Sequence, residues 1–340
     1  MGAAAAWELA RRGRDVVLLE RFEQGHVRGS SHGGSRIFRL AYPDARWVRM
    51  GMEALTAWRD LEADVGVSLL DITGGVDHGA PFTIGRTAEA LAAAGAAHEM
   101  LPPEAAADRW PHMRFEGSVL VQPDAGRCRA DDTLLNLQWA CGHHGGEVRF
   151  DEPATDISAD DDGVTVQTDF DEYMAPVAII ACGSWASSVV GAIDGLPPRL
   201  PAMTVTQEQT FHFLPRDDDS AWPSFIHHRM PAPIYGLETP GEGVKVAEHH
   251  TGAAVDPDER DFEIDPAGET RVVGYVEEWL PGLETYAVTA ATCLYTTTPD
   301  EDFFIERRGS LVVAAGFSGH GFKFTPLIGK QLADLALAPA

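Results

Sequence analysis

The chain has 340 residues, 44% of them hydrophobic and 23% charged, which is the composition of an ordinary globular protein with a sizeable core and room for about two domains. Disordered, collagen-like and disulfide-scaffold architectures are excluded on that basis. Fifty-two acidic against 26 basic residues give a net charge of −26, which repels phosphate backbones and anionic lipid, so neither nucleic acid nor a membrane surface is an expected partner.

Residues 2–12 are alanine-rich with a helical pattern and end at Gly13, a natural C-terminal stop. Residues 15–20 follow as a short buried strand that ends in an acid. Helix, glycine, apolar strand and terminal acid make the second half of a βαβ dinucleotide-binding unit. Gly2 stands where the last motif glycine belongs, and Glu20 lies at the distance where an acid takes a ribose hydroxyl. Many other α/β proteins carry the same pattern, so by itself it leaves the ligand open. The opening is read as a helix and not a secretory signal, because its charges follow the apolar stretch. No uninterrupted apolar run approaches the roughly 18 residues of a membrane span. Cys128, Cys141, Cys182 and Cys293 are widely spaced without a CxxC, as expected of free thiols in a reducing cytoplasm.

Further along, periodicity predicts helices over 44–64, 84–98, 131–145, 267–279 and 319–337. Strands are predicted at 118–122, 148–150, 163–168, 177–181, 203–214, 225–228 and 233–237. Others follow at 244–247, 289–297, 303–306 and 311–315. Parallel α/β signals at both ends and in the middle, with antiparallel signals between, predict a mixed α/β fold of two interleaved domains. One would take 1–75, 130–198 and 299–340, the other 76–129 and 199–298.

Two glycine-rich stretches carry the chemistry. The first, Gly29-Ser30-Ser31-His32-Gly33-Gly34-Ser35-Arg36-Ile37-Phe38-Arg39, runs two arginines into apolar sequence. Arginines half-buried in this way need anionic partners. The second, Ala314-Ala315-Gly316-Phe317-Ser318-Gly319-His320-Gly321-Phe322-Lys323-Phe324, follows an apolar strand and opens the last predicted helix. A lysine in a first helical turn opposes the helix dipole, which suggests an anionic ligand that needs both. The chain has only three lysines, Lys245, Lys323 and Lys330, so a lysine marks a place where a compact point charge serves better than a planar fork. The adjacent pairs His143-His144, His227-His228 and His249-His250 cannot converge on one ion, and no metal is expected. No GxSxG elbow is present either.

These residues resemble a known family. GSSHGGSRIFRLAY (29–42), Lys245 with His249, CLYTTTPDEDFFIE (293–306) and GFSGHGFKF (316–324) are similar to the monomeric sarcosine oxidase and N-methyltryptophan oxidase family of FAD-dependent amine oxidoreductases. The likeness runs in order along the chain and includes Arg109-Trp110-Pro111, Pro123-Asp124-Ala125-Gly126 and Gly183-Ser184-Trp185. It implies a Rossmann-like FAD domain interleaved with an antiparallel-sheet substrate domain. The implied activity is oxidation of a secondary amino acid to an imine, with dioxygen as acceptor and hydrogen peroxide as product, by a monomer.

Residue by residue, the resemblance implies covalent FAD at Cys293, through a thioether to the 8α carbon, and a Lys245 that serves dioxygen. Arg39 and Lys323 would hold the substrate carboxylate, Arg36 would stand near the flavin ring, and Tyr235, His249 and Tyr295 would line the substrate cavity. Further cofactor contacts would come from Gly2, Glu20, Ser31 and His32, and from Gly316, Gly319, Gly321 and Phe322. Two of the three lysines thus fall on implied active-site positions. Glu248 departs from the family pattern and is expected to place an acid beside the cavity, which counts against sarcosine itself. The first strand and first glycines of the dinucleotide loop, and the C-terminal tail of the family, have no counterpart, so a fragment is expected. Expressed alone it is expected to be poorly soluble and to bind FAD weakly, recovering when a strand with GxGxxG is placed upstream. A glycine or D-amino acid oxidase, a dehydrogenase, and a flavin-free remnant remain as alternatives.

Overall fold

The protein is described by a computed structural model over residues 1–160, 162–195, 197–217 and 221–339. The alanine run forms the helix Gly2–Arg11, in which Ala3, Ala4, Ala5, Ala6, Trp7 and Ala10 are buried. Helices Ala130–His143 and Thr325–Leu337 pack against it. Small side chains permit a close approach here: a Cβ on Gly329 would stand 2.6 Å from Ala4.

Beside these helices lies a parallel β layer in two pieces. Val17–Leu19 pairs in parallel with Glu147–Arg149, and Ala178–Ile180 pairs in parallel with Leu311–Ala315. Phe304–Arg308 runs antiparallel along the far edge of the second piece. Among the described residues the two pieces share no backbone pairing. The first helix begins between them, since a Cβ on Gly2 would stand 3.7 Å from Leu18 and 3.6 Å from Ala181.

The other layer is a large, mostly antiparallel sheet. Its long strands Thr204–Pro215 and Leu283–Thr297 pair along their length, and Gly243–Glu248, Ile234–Thr239 and Ser224–His228 follow in order. The sheet then takes in an earlier part of the chain: Gly75–Gly79 pairs in parallel with Ser224–His228, and Val119–Gln122 and Glu99–Leu101 continue it. Helix Pro266–Trp279 covers one face, burying Val272, Tyr275 and Val276 against Phe211, Phe213 and Phe225. The molecule is therefore a Rossmann-like α/β layer interleaved with an antiparallel sheet. No helix among the described residues is long and apolar enough to cross a membrane.

Helix Ala45–Val65 links the core to the ligand side. Asp44 caps it by accepting from the Arg46 N–H, and Gly66 ends it in the left-handed region. Its buried stripe Val48, Gly51, Ala54, Trp58 and Leu61 follows helical spacing. The Trp58 indole N–H donates to the Lys323 carbonyl at 2.7 Å, fixing the turn that carries this lysine.

The structure corrects the last predicted helix. It starts at Thr325 and not at 319, because Ser318 and Gly319 have φ of 47° and 73°, which no right-handed helix accepts. Pro326, with no N–H to donate, suits the first turn of the shorter helix. Lys323 accordingly sits in the preceding 3-10 turn Phe322–Phe324 and does not oppose a first-turn dipole. Strand Gly75–Gly79 was not predicted: Asp77 and His78 interrupt the apolar run that marks a fully buried strand.

Replacing Gly329 by Val drives a branched side chain into the Ala4 backbone. We expect Gly329→Val to cost about 1–3 kcal/mol, seen as a lower Tm. An unchanged Tm would mean that these two helices are not in close contact.

Candidate active site

A cavity of about 1230 Å³ runs from the edges of the parallel layer to the face of the large sheet that bears Lys245. Every residue singled out above as a site residue lines it. At one end are Gly2 and Glu20, the latter just past strand Val17–Leu19. The Glu20 carboxylate accepts from the Phe22 N–H at 3.1 Å and lies 3.6 Å from His26 Nε2.

The loop over 29–35 forms the roof. Arg36 fastens it, donating to the carbonyls of Ser30 at 3.0 Å and Ser35 at 2.9 Å and to that of His32. The Ser30 hydroxyl donates to the Leu294 carbonyl at 2.5 Å, tying the loop to the strand that bears Cys293. Ser31 and His32 face the cavity. The His32 ring is neutral, its pKa lowered to about 4 by burial and then by Arg36. Its Nε2 is buried with no hydrogen-bond partner. The expected anionic partners exist for Arg39 only. Loop carbonyls satisfy Arg36, which has no carboxylate within 4 Å among the described residues.

Lys245 is 4% exposed on strand Gly243–Glu248, and its Nζ donates to the Ser35 carbonyl at 2.9 Å. Burial, followed by the Arg36 charge, lowers its pKa to about 7. Cys293 is buried on strand Leu283–Thr297, opposite Glu208. Burial pushes its thiol up, with Arg36 opposing.

At the far end two cations flank one ring. The Arg39 guanidinium carbon is 4.3 Å and Lys323 Nζ 5.6 Å from the Tyr42 centroid. Lys323, 5% exposed, donates to the His320 carbonyl at 2.8 Å, and burial lowers its pKa. Arg39 donates to the Ala41 carbonyl and stands 3.9 Å from Asp77 Oδ2.

The second glycine-rich loop wraps tightly around this end. A Cβ on Gly319, which has φ of 73°, would stand 2.3 Å from the Tyr295 ring. Gly316 and Gly321 lie as closely against Thr298 and Phe317, and Phe322 completes the wall. Opposite stand Tyr235, His249 and Tyr295, with His249 Nδ1 3.4 Å from the Tyr295 hydroxyl. Burial and then His250 hold the His249 pKa well below 6.5, and burial holds the Tyr295 phenol well above 10. A buried lysine and a half-buried arginine beside neutral walls suit a small anion.

Glu248 is not beside the cavity, contrary to expectation. Side chains alternate along a strand, so Lys245 faces the cavity and Glu248 the other side. There its carboxylate accepts from Arg271 at 2.8–3.0 Å. Sequence reasoning missed Asp77, His228 and Tyr42, and passed over His320 as a ligand-side residue. A polar pair inside an otherwise buried strand was the available signal for Asp77. Among the described residues no three His, Cys, Asp or Glu side chains group as a metal centre.

Comparison with known proteins bears on this geometry. Residues 1–335 match the family model described as FAD dependent oxidoreductase, DAO. The monomeric sarcosine oxidase of Bacillus sp. (strain NS-129) is 30% identical over 349 residues, covering 99% of this chain and 90% of that protein. The peroxisomal sarcosine oxidase of Homo sapiens is 33% identical over 356 residues, covering 99% and 89%. The open form of NikD, described as an unusual amino acid oxidase essential for nikkomycin biosynthesis, superposes with a TM-score of 0.87 at 26% identity, covering 99% and 91%. With a two-layer fold, a cavity at the edge of its parallel layer and a family match over nearly its whole length, the chain belongs to the FAD dependent oxidoreductases.

Proposed function

We propose that the protein, as a monomer, oxidises a secondary N-methyl amino acid to its imine, with dioxygen as acceptor and hydrogen peroxide as product. The observation that carries this reading is the meeting of Arg39 and Lys323 across Tyr42, beside neutral His249 and Tyr295. A carboxylate bound there meets the buried Lys323 charge and the half-buried Arg39 charge at once. A free ammonium is repelled by the same charges, so the amine enters as the neutral base. The sarcosine oxidases among the relatives support the substrate class.

The residues fit FAD. The unpartnered His32 Nε2, the open first turn of Gly2–Arg11 and the Glu20 carboxylate offer contacts along the cavity. In this reading 1–75, 130–198 and 299–340 hold the cofactor, and 76–129 with 199–298 hold the substrate. Ser31, Arg36, Gly316, Gly319, Gly321 and Phe322 surround the cofactor. Bound FAD supplies the acceptor for the substrate's hydride and returns the electrons to dioxygen.

The chain's own residues do the rest. Arg39 and Lys323 fix the carboxylate and thereby aim the neighbouring C–H bond. Tyr235, His249 and Tyr295 exclude water and leave the nitrogen lone pair free to drive C–H cleavage. No side chain has to remove a proton first. Lys245 places a fixed cation where negative charge develops on oxygen. Cys293 would hold the cofactor covalently, through a thioether from its Sγ to the 8α carbon.

If Cys293 holds the cofactor, flavin stays with the acid-precipitated wild-type protein and is released from Cys293→Ser. Equal release from both would remove the covalent assignment and leave the fold untouched.

Stopped-flow separation of the two half-reactions tests the charges. Lys245→Met is expected to slow reoxidation by at least tenfold, with substrate reduction less affected. Because Lys245 is charged below about pH 7, wild-type reoxidation is expected to accelerate as pH falls through that value. Arg39→Ala is expected to weaken substrate binding by about 2 kcal/mol or more, roughly 30-fold in Kd. Slowing of the same half-reaction by both variants would contradict this division.

A further inference from the structure

Strand Gly75–Gly79 is buried at every position, yet it carries Asp77 and His78. An unpartnered carboxylate there would cost several kcal/mol, so its partners define what it is for. The parallel register sets Asp77 beside Ile226 and His78 beside His227. Period-two alternation then separates two polar groups. On the helix side His78 and His227 stack at 4.0 Å, and His227 is closed off by Glu116 at 2.7 Å and the Tyr275 hydroxyl at 3.3 Å. That group is satisfied internally.

The cavity-side group is not. Asp77, 2% exposed, accepts from Gln122 Nε2 at 3.1 Å and from His228 Nε2 at 2.9 Å, and lies 3.9 Å from Arg39. A carboxylate has no proton to give, so Nε2 carries the hydrogen, and Nδ1, wherever it carries none, is an acceptor. Nδ1 makes no hydrogen bond among the described residues, while His228 lines the cavity. A single carboxylate thus joins the residue that holds the substrate's acid group to a ring with an acceptor to spare. We propose that His228, oriented by Asp77, is a specificity-determining residue that accepts a hydrogen bond from a hydroxyl or N–H on the substrate side chain. The favoured substrates are therefore N-methyl amino acids with a donor-bearing side chain, not sarcosine or apolar homologues. This rests on the amino acid oxidase reading, with Arg39 at the carboxylate.

Matched substrate pairs test it with the flavin-loaded enzyme: N-methylserine against N-methylalanine, N-methylthreonine against N-methylvaline, and N-methylglutamine against N-methylmethionine. Anaerobic flavin reduction gives a rate and a Kd for each. At least one donor-bearing member is expected to exceed its partner about tenfold or more in kred/Kd. His228→Leu is expected to bring that ratio to about one, whereas a merely structural defect lowers both members alike and keeps the ratio. Asp77→Asn, whose amide oxygen still accepts from Nε2, is expected to retain most of the preference. Wild-type ratios near one in all three pairs would overturn the inference while leaving the oxidase reading intact. So would a preference that survives His228→Leu. Failure of every pair to reduce the flavin would overturn both.

Discussion

Positive charge drawn out of water organises this molecule. Arg36, Arg39, Lys245 and Lys323 all line one cavity of a chain with a net charge of −26. Only Arg39 has a carboxylate within 4 Å among the described residues. Stripping water from such a group costs several kcal/mol, and the offset here comes from backbone carbonyls. Ser30 and Ser35 serve Arg36, Ala41 serves Arg39, Ser35 serves Lys245, and His320 serves Lys323. Both glycine-rich stretches exist in these shapes because their carbonyls must turn inward. The arrangement gives each cation a carbonyl partner but leaves charge unbalanced, which suits an anionic ligand.

The large sheet sorts the remaining polar groups by alternation. Lys245 and Glu248 are three residues apart on one strand, yet one serves the cavity and the other an Arg271 ion pair on the helix side. His227 and His228 are adjacent and serve opposite faces in the same way. A single-residue slip in register would exchange these faces and bury the wrong groups. The long pairing of Thr204–Pro215 with Leu283–Thr297 keeps Cys293 in place on this sheet. Trp58 does the corresponding service on the α/β side, where its indole holds the Lys323 turn.

Most of the cavity lining proposed as the site was legible in the sequence because it lies in contiguous motifs. The loops around Arg36 and Lys323 announce themselves by glycine and by charge set in apolar surroundings, whereas Cys293, Tyr235, His249 and Tyr295 were marked only by the family resemblance. The scarcity of lysine drew attention to three positions, of which Lys245 and Lys323 line the cavity while Lys330 is exposed on the last helix. What was illegible depends on register. Glu248 follows Ala247 in a strand whose phase is invisible until its neighbours are placed. Asp77 and His228 are 151 residues apart and meet only because Gly75–Gly79 joins the sheet in parallel with Ser224–His228. The start of the last helix was misplaced because three glycines near His320 look like a helix entry, while the left-handed backbone at Ser318 and Gly319 delays it to Thr325.

The central claim is that Lys323 and Arg39 together select a carboxylate-bearing amine. Its most direct measurement is anaerobic bleaching of the flavin-loaded protein by sarcosine and by dimethylamine, which differ by that carboxylate. The account predicts bleaching by sarcosine at least thirtyfold more efficiently, the roughly 2 kcal/mol that one buried, hydrogen-bonded ion pair contributes. Equal efficiency with the two amines would contradict it.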